Sequence, residues 1–165
     1  MTLTPETTAQ LIQALLHTLG RRSKQNGLLE VLRACELDSA ELLRQGPLRP
    51  YPVVWSEQGL TVQMQHIKPE AESQDHTWGL HSITLEAERW PGPWPKNFNP
   101  KTVTPDELVN LLAQDKAQAL CTPEMACMTV AGTEQRTWAA LALFDPADGK
   151  LQSLTLARHG GWAAA

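Results

Sequence analysis

The sequence predicts an α+β fold in which an antiparallel sheet of about six strands carries its helices on one face. Stretches of alternating apolar and polar residues indicate strands with one buried face. Short turn signals between them, such as Gln58-Gly59 and Asp145–Gly149, favour antiparallel neighbours. Thr-Pro-acidic triplets beginning at Thr4 and Thr104 mark two helix starts. A length of 165 residues suits a single domain over 1–165.

The first part of the chain is predicted to be helical. Thr4 is placed to cap a helix, with Pro5 at its first position and Gly20 as its stop. Leucines and an isoleucine recur at helical spacing between them. Two further helical segments are expected, from Ser23 to Cys35 and from Asp38 to Gly46.

Strands follow at Pro52–Glu57, Leu60–His66 and Gly79–Ala87. The second and third should pair as neighbours across the polar loop Lys68–Thr77. In the third strand the alternation predicts four residues on the buried face: His81, Ile83, Leu85 and Ala87.

The middle of the chain is a proline- and tryptophan-rich crossing, PGPWPKNFNPK, which cannot form helix or inner strand. A helix then starts at Thr104, because Thr104 and Glu107 have the spacing of a capping box. The remaining strands are predicted at Ala126–Ala131, Thr137–Phe144 and Leu151–Arg158.

Two stretches of the chain resemble each other, GLHSITLEAERW from Gly79 and KLQSLTLARHGGW from Lys150. Both contain Leu-x-Ser-[Ile/Leu]-Thr-Leu, and each closes a strand series that follows a helix start. Two interpretations stay open. Either the chain contains two degenerate α-plus-strands repeats, at about 1–90 and 103–162, or any amphipathic strand with serine and threonine on its wet face would produce the match.

Composition and charge exclude several function classes. A net charge of −4 does not favour a nucleic-acid ligand. No apolar run approaches the ~18 residues of a membrane span, and the polar, acidic beginning predicts no secretory signal. Three cysteines, Cys35, Cys121 and Cys127, fit a reducing cytoplasm better than a disulfide framework. We therefore expect a cytoplasmic protein with no membrane or nucleic-acid partner.

The search for chemistry finds no catalytic motif and no expected cofactor. A zinc site built from His66, His76 and His81 is one alternative, but these histidines lack the tight pair spacing of common zinc sites. Cys121 with His159 as base is another, without a supporting motif. We expect no bound metal, with His66 and His81 pointing into or along the sheet.

Tryptophan is unusually frequent, with six residues against one tyrosine and two phenylalanines. Trp78, Trp90 and Trp94 gather around the central strand and the crossing. Tryptophan serves both as core filler and as an interface anchor. Both uses stay open, and Trp94 is expected to be the more exposed of the pair in the crossing.

The layout resembles a known family, the small cytoplasmic immunity proteins of bacterial polymorphic toxins of the type VI secretion, contact-dependent and pyocin-type systems. The resemblance rests on LGRRSKQNGLLEVL, VVWSEQGLTVQM, GLHSITL, PKNFNPKTVTPDELVNLL and DGKLQSLTL, which together cover most of the chain. It implies a protein that binds and neutralises a cognate toxin domain and catalyses nothing itself.

On this resemblance, the partner surface is predicted to combine the acidic loop with the tryptophans beside it. The predicted contact residues are Glu70, Glu72, Asp75, Trp78, Glu88, Trp90 and Trp94. An effector-loading chaperone or adaptor is the main alternative, which exposed apolar surface would favour. A metal-dependent enzyme using His66, His76 and His81 is the other. The oligomeric state is left open.

Overall fold

A computed structural model describes residues 5–20, 22–24, 53–67, 77–132 and 136–160. These residues form two α-helices and eight strands in one sheet. The elements are α1 Pro5–Thr18, β1 Arg22–Lys24, β2 Val53–Glu57, β3 Leu60–Ile67, β4 Thr77–Glu86, α2 Pro105–Leu112, β5 Leu120–Thr122, β6 Met125–Ala131, β7 Thr137–Phe144 and β8 Leu151–Arg158. Within these ranges, no helix is long and apolar enough to cross a membrane.

The predicted α+β class and its antiparallel sheet are confirmed. The strands lie in the order β2-β3-β4-β8-β7-β6-β5, and β1 pairs with the first residues of β4. Every pair is antiparallel. Six strands have five residues or more, which agrees with the predicted number, and β1 and β5 add three residues each. The expected pairing of β3 with β4 is also confirmed.

One face of the sheet forms the hydrophobic core, together with both described helices. Alternate residues of β3, β4, β6, β7 and β8 are buried, so each strand has one core side. Helix α1 contacts β4, and α2 contacts β5 and β6. The apolar residues of the helices belong to the same cluster: Leu11, Leu15, Leu108, Val109 and Leu112. The sheet and helices therefore share a single core.

Helix α2 begins as the capping-box pattern predicts. Its hydrogen bonds are reciprocal: the Glu107 amide donates to Thr104 Oγ1 at 3.2 Å, and the Thr104 amide donates to Glu107 Oε2 at 3.1 Å. Pro105 follows at the first helical position, where a missing N–H costs nothing. These local bonds fix where the proline-rich crossing ends.

Arg136, the residue just before β7, is hydrogen-bonded to the carboxyl end of helix α1. The guanidinium of Arg136 donates to the carbonyl of Leu19 at 2.5 Å and to that of His17 at 3.0 Å. These carbonyls lie at the carboxyl end of the helix, where a cation also opposes the negative end of the helix dipole. Gly20 follows with φ +75, as expected of a residue that ends a helix.

Strand β4 departs from the predicted alternation at His81. Its register against β3 shifts between Gln63 and Met64, so that Leu80 rather than His81 occupies the core position. The shift is a β-bulge, which places one extra residue in one strand of the pair. Simple alternation therefore chose the wrong buried residue in this part of β4, because it ignores bulges.

Ser23 does not begin a helix, since it lies in β1 opposite Trp78. A three-residue strand has little sequence pattern of its own and depends on the partner strand that it meets. The rest of the predicted helix to Cys35, the predicted helix from Asp38 to Gly46 and most of the loop Lys68–Thr77 lie outside the described residues.

The two similar stretches are direct neighbours in the sheet, as β4 and β8. Thr84 and Thr155, which occupy equivalent positions in the sequence match, lie opposite each other, and their Oγ1 atoms are 2.8 Å apart. A two-fold relation between two three-strand units would produce this register. The helices are not placed equivalently, since α1 contacts β4 whereas α2 contacts β6. The repeat stays a prediction.

The turn of the β2–β3 hairpin packs closely against the turn that follows β4. Gln58 and Gly59 both have positive φ, +50 and +82, as a two-residue type I′ turn requires. The Glu86 amide donates to the Gly59 carbonyl at 2.8 Å. A Cβ on Gly59 would lie 2.5 Å from the backbone nitrogen of Trp90. No side chain fits there.

Replacing Gly59 by alanine should therefore be markedly destabilising. Gly149→Ala is the matched control, because Gly149 also has positive φ, +71, but a Cβ there would meet nothing within 4 Å. Both variants carry the strain of a left-handed alanine, about 1–2 kcal/mol, and Gly59→Ala adds overpacking of about 1–3 kcal/mol. Urea unfolding measures the difference. Equal midpoints for the two variants would contradict the described packing.

Candidate partner-binding site

The structure describes only part of the predicted contact surface. Glu70, Glu72 and Asp75 lie outside the described residues, and for Trp78 only its place in β4 is described. Glu88 is exposed in the turn after β4. Among the predicted contact residues whose exposure the structure describes, Glu88 is the one that a partner can reach.

Trp90 and Trp94 are both buried, and Trp94 is only slightly the more exposed of the two. Their exposed fractions are 3% and 8%. The indole N–H of Trp90 donates to the carbonyl of Pro93 at 3.1 Å, and the ring of Trp94 lies 5.3 Å from that of Phe98. The aromatic residues of the crossing, Trp90, Trp94 and Phe98, lie four apart in the sequence and belong to the core.

A cleft of about 700 Å³ opens beside Glu88, at the end of the sheet where β4 and β7 finish and β8 begins. We call it the turn-end cleft. It is formed by the turn after β4, the end of the crossing and the β7–β8 turn. Its charged lining residues are four carboxylates, Glu86, Glu88, Asp145 and Asp148, and two lysines, Lys101 and Lys150. Negative charge prevails in the cleft.

Local hydrogen bonds hold the carboxylates of the β7–β8 turn in place. Asp145 Oδ1 accepts from the Ala147 amide at 2.7 Å, and Asp148 Oδ1 accepts from the Lys150 amide at 2.9 Å. Each is the side-chain-to-backbone bond typical of aspartate in turns. One oxygen of each carboxylate is used in this way, and the charge stays at the surface on a defined backbone.

The carboxylates of Glu86, at the end of β4, and Glu88, in the turn after it, accept no backbone bond of this kind among the described hydrogen bonds. Glu86 Oε2 lies 3.5 Å from Arg89 Nη1 in an ion pair whose side chains are 40% and 60% exposed. A pair this exposed contributes little to stability. Glu88 is exposed to solvent on the same turn. A partner can engage these side chains without dismantling the fold.

The cysteine and histidine candidates show no nucleophile arrangement. The thiol of Cys121 donates to Asp106 Oδ1 at 3.4 Å. Slight burial, this hydrogen bond and the negative charge of Asp106 raise the pKa of the thiol. A raised pKa keeps sulfur protonated, whereas a nucleophile needs thiolate. His159 Nδ1 lies 3.0 Å from Thr137 Oγ1, at the exposed end of two neighbouring strands.

The histidines of the zinc alternative are only partly described. His66 lies in β3 opposite Trp78, His81 lies at the bulge of β4, and His76 is outside the described residues. Within the described ranges, no three His, Cys, Asp or Glu side chains are grouped so that they could hold a metal ion.

Comparison with known proteins provides no relative. No family model matches the chain, and no curated protein or solved structure is significantly similar to it. The site must therefore be interpreted from its own residues.

Sequence reasoning missed the turn-end cleft because its residues come from three separate parts of the chain. Asp145 and Asp148 were assigned only to a hairpin turn, and Lys101 only to the crossing. The strand order that brings the β7–β8 turn beside Glu88 follows from the pairing of β4 with β8. The similarity between those two strands was the one sequence signal that could have suggested it.

The burial of Trp94 has a direct consequence for stability. Trp94→Ala should lower the free energy of unfolding by about 3–5 kcal/mol, because it removes a large core ring from beside Phe98. Leu111→Ala on α2 is the control, since Leu111 is 45% exposed and should cost about 0.5 kcal/mol or less. Chemical denaturation measures both. If Trp94→Ala lowers the free energy of unfolding as little as the control does, Trp94 is not a buried core residue.

Proposed function

We propose that the chain is an immunity protein, which binds a cognate toxin domain and neutralises it without catalysis of its own. The observation that carries the proposal is the turn-end cleft. Its carboxylates belong to surface turns that a rigid sheet holds in place. The family resemblance of the sequence supports the same function. In this proposal the protein acts in the cytoplasm.

The charge of the cleft favours a partner of opposite charge. Four carboxylates against two lysines favour a basic surface on the toxin domain. Exposed charges of this kind act mainly on the rate of association, because they attract a partner of opposite charge before contact. Affinity then depends on the central contacts, to which the predicted residues Glu70, Glu72, Asp75 and Trp78 contribute in this proposal.

The buried tryptophans have a different role in this proposal from the one expected. Trp90 and Trp94 are buried residues of the crossing, and the Trp90 amide donates to the Glu86 carbonyl across the turn that carries Glu88. They support the contact surface instead of touching the partner. Removing either ring would weaken binding through misfolding, so tryptophan variants cannot map the interface.

A chaperone or adaptor is the second candidate, and one observation favours it. The sheet face opposite the core exposes apolar residues on β5, β6 and β7. Leu120, Cys127 and Leu141 lie side by side across the three strands, and Leu143 lies beside Met125. Leu120 and Leu143 are 64% and 40% exposed. An exposed apolar patch is typical of protein-binding surfaces, including those that hold an incompletely folded client.

The function is tested by protection of cells. The chain is produced together with the protein encoded by the neighbouring gene, the candidate toxin, and growth is compared with cells that produce that protein alone. Protection, together with a stoichiometric complex of the two purified proteins, is the expected result. Absence of protection by a folded chain would end the immunity proposal. Increased toxin yield or export without protection would support the chaperone.

The contact surface is tested by charge reversal. Glu88→Lys with Asp148→Lys should slow association with the toxin domain about tenfold at low salt, and the difference should shrink as salt screens the charges. Glu124→Lys is the matched control, because Glu124 lies in an exposed turn at the same end of the sheet but does not line the cleft. Its effect should be much smaller.

The two tests can fail separately. If the unaltered chain protects cells and the reversed variant associates as fast as the control, the cleft is not the contact surface and the immunity function stands. If the unaltered chain neither binds nor protects, the function itself fails. Each variant is first shown to be folded by its unfolding midpoint.

A further inference from the structure

Strand β4 changes partners where helix α1 reaches it. Strand β8 pairs with Ser82–Glu86, and β1 pairs with Thr77–Gly79. Between these two pairings, Leu19 forms a β-bridge to Leu80, and the Gly20 amide donates to the Leu80 carbonyl at 3.0 Å. The carboxyl end of α1 is thus bonded to the sheet directly beside His81.

His81 is the extra residue of the bulge at this junction. It has no cross-strand partner in β3, since Ser82 lies opposite Gln63 and Leu80 opposite Met64. Its ring is half-buried, and its Nδ1 atom is buried without a hydrogen-bond partner. A neutral imidazole tolerates one unbonded nitrogen, whereas a protonated ring has two N–H donors that both need acceptors.

Two cationic side chains of the described residues lie at the junction. Arg158 is the last residue of β8, and the guanidinium of Arg136, just before β7, donates to the end of α1. Two uncharged residues of β3, Gln63 and Met64, lie opposite the bulge. A positive charge on His81 would therefore be partly desolvated and would lie near like charges.

We propose that this junction is an acid-sensitive latch, in which protonation of His81 releases the end of helix α1 from β4. The inference does not depend on the proposed function. Burial of the ring, and then the charge of Arg158, lower the pKa of His81 below its ordinary value of 6.5. The released form therefore binds more protons than the latched form below about pH 6.5.

The direction of the effect follows from this difference. The latched junction has its full stability above about pH 6.5, and that stability is lost as the pH falls towards the lowered pKa of His81. Because the bond from Gly20 to Leu80 is next to the titrating residue, the end of α1 is released there while Leu11 and Leu15 keep the rest of the helix in the core.

Amide hydrogen exchange in the intact protein tests the latch. Protection of the Gly20 amide is measured at pH 7.5 and pH 5, each corrected for the intrinsic exchange rate, while an NMR titration follows the His81 ring. The expected result is a loss of Gly20 protection that tracks a His81 pKa below 6.5, while amides at the centre of β4 stay protected. His81→Gln should remove the pH dependence, and the exposed control His159→Gln should retain it.

Three results would overturn the proposal. One is a His81 pKa at or above 6.5 in the unaltered protein. Another is Gly20 protection that is equal at the two pH values. The third is a loss of protection that persists unchanged in folded His81→Gln. If that variant does not fold, the titration and exchange of the unaltered protein decide the question.

Discussion

The pairing of β4 with β8 is the constraint on which the rest of the structure depends. Strand β4 is hydrogen-bonded along both edges, to β3 on one side and to β8 and β1 on the other. Its pairing with β8 joins the strands that precede the crossing to those that follow it. The Oγ1 atoms of Thr84 and Thr155 meet in the middle of this pair. Without that pairing the sheet would divide into two separate four-strand units, β1 to β4 and β5 to β8.

The same pairing creates the surfaces that matter for function. It places the β7–β8 turn beside the turn after β4, and the turn-end cleft lies between them. It aligns the core faces of both units, so that α1 and α2 pack on one side and leave apolar residues of β5, β6 and β7 on the other. It ends where Ser82 lies opposite Ala157, next to the bulge where α1 is attached, and Arg158 is the next residue of β8.

Features set by local physics could be predicted from the sequence. Strands β7 and β8 match their predicted bounds, because strict alternation and a turn rich in Asp, Pro and Gly define them locally. Helix α2 starts at its predicted cap because both bonds of the capping box are made by residues three apart. The fold class follows from the sum of such local patterns.

Features that depend on distant partners could not be predicted. The bulge at His81 arises where β4 passes from one partner strand to another, and the sequence of β4 alone does not show the exchange. The sequence left open whether Trp90 and Trp94 are core residues or partner contacts, and their burial depends on the strands and helices that share the core with them. The cleft needed the strand order, which no local pattern contains.

A measurement of the β4–β8 register tests the central claim most directly. Nuclear Overhauser contacts between side chains across the sheet report which residues lie opposite each other. We expect a contact from the Thr84 methyl to the Thr155 methyl, and one from Leu85 to Leu154. Contacts of Thr84 with a residue other than Thr155 in β8, or none between the two strands, would contradict the described sheet and the cleft built on it.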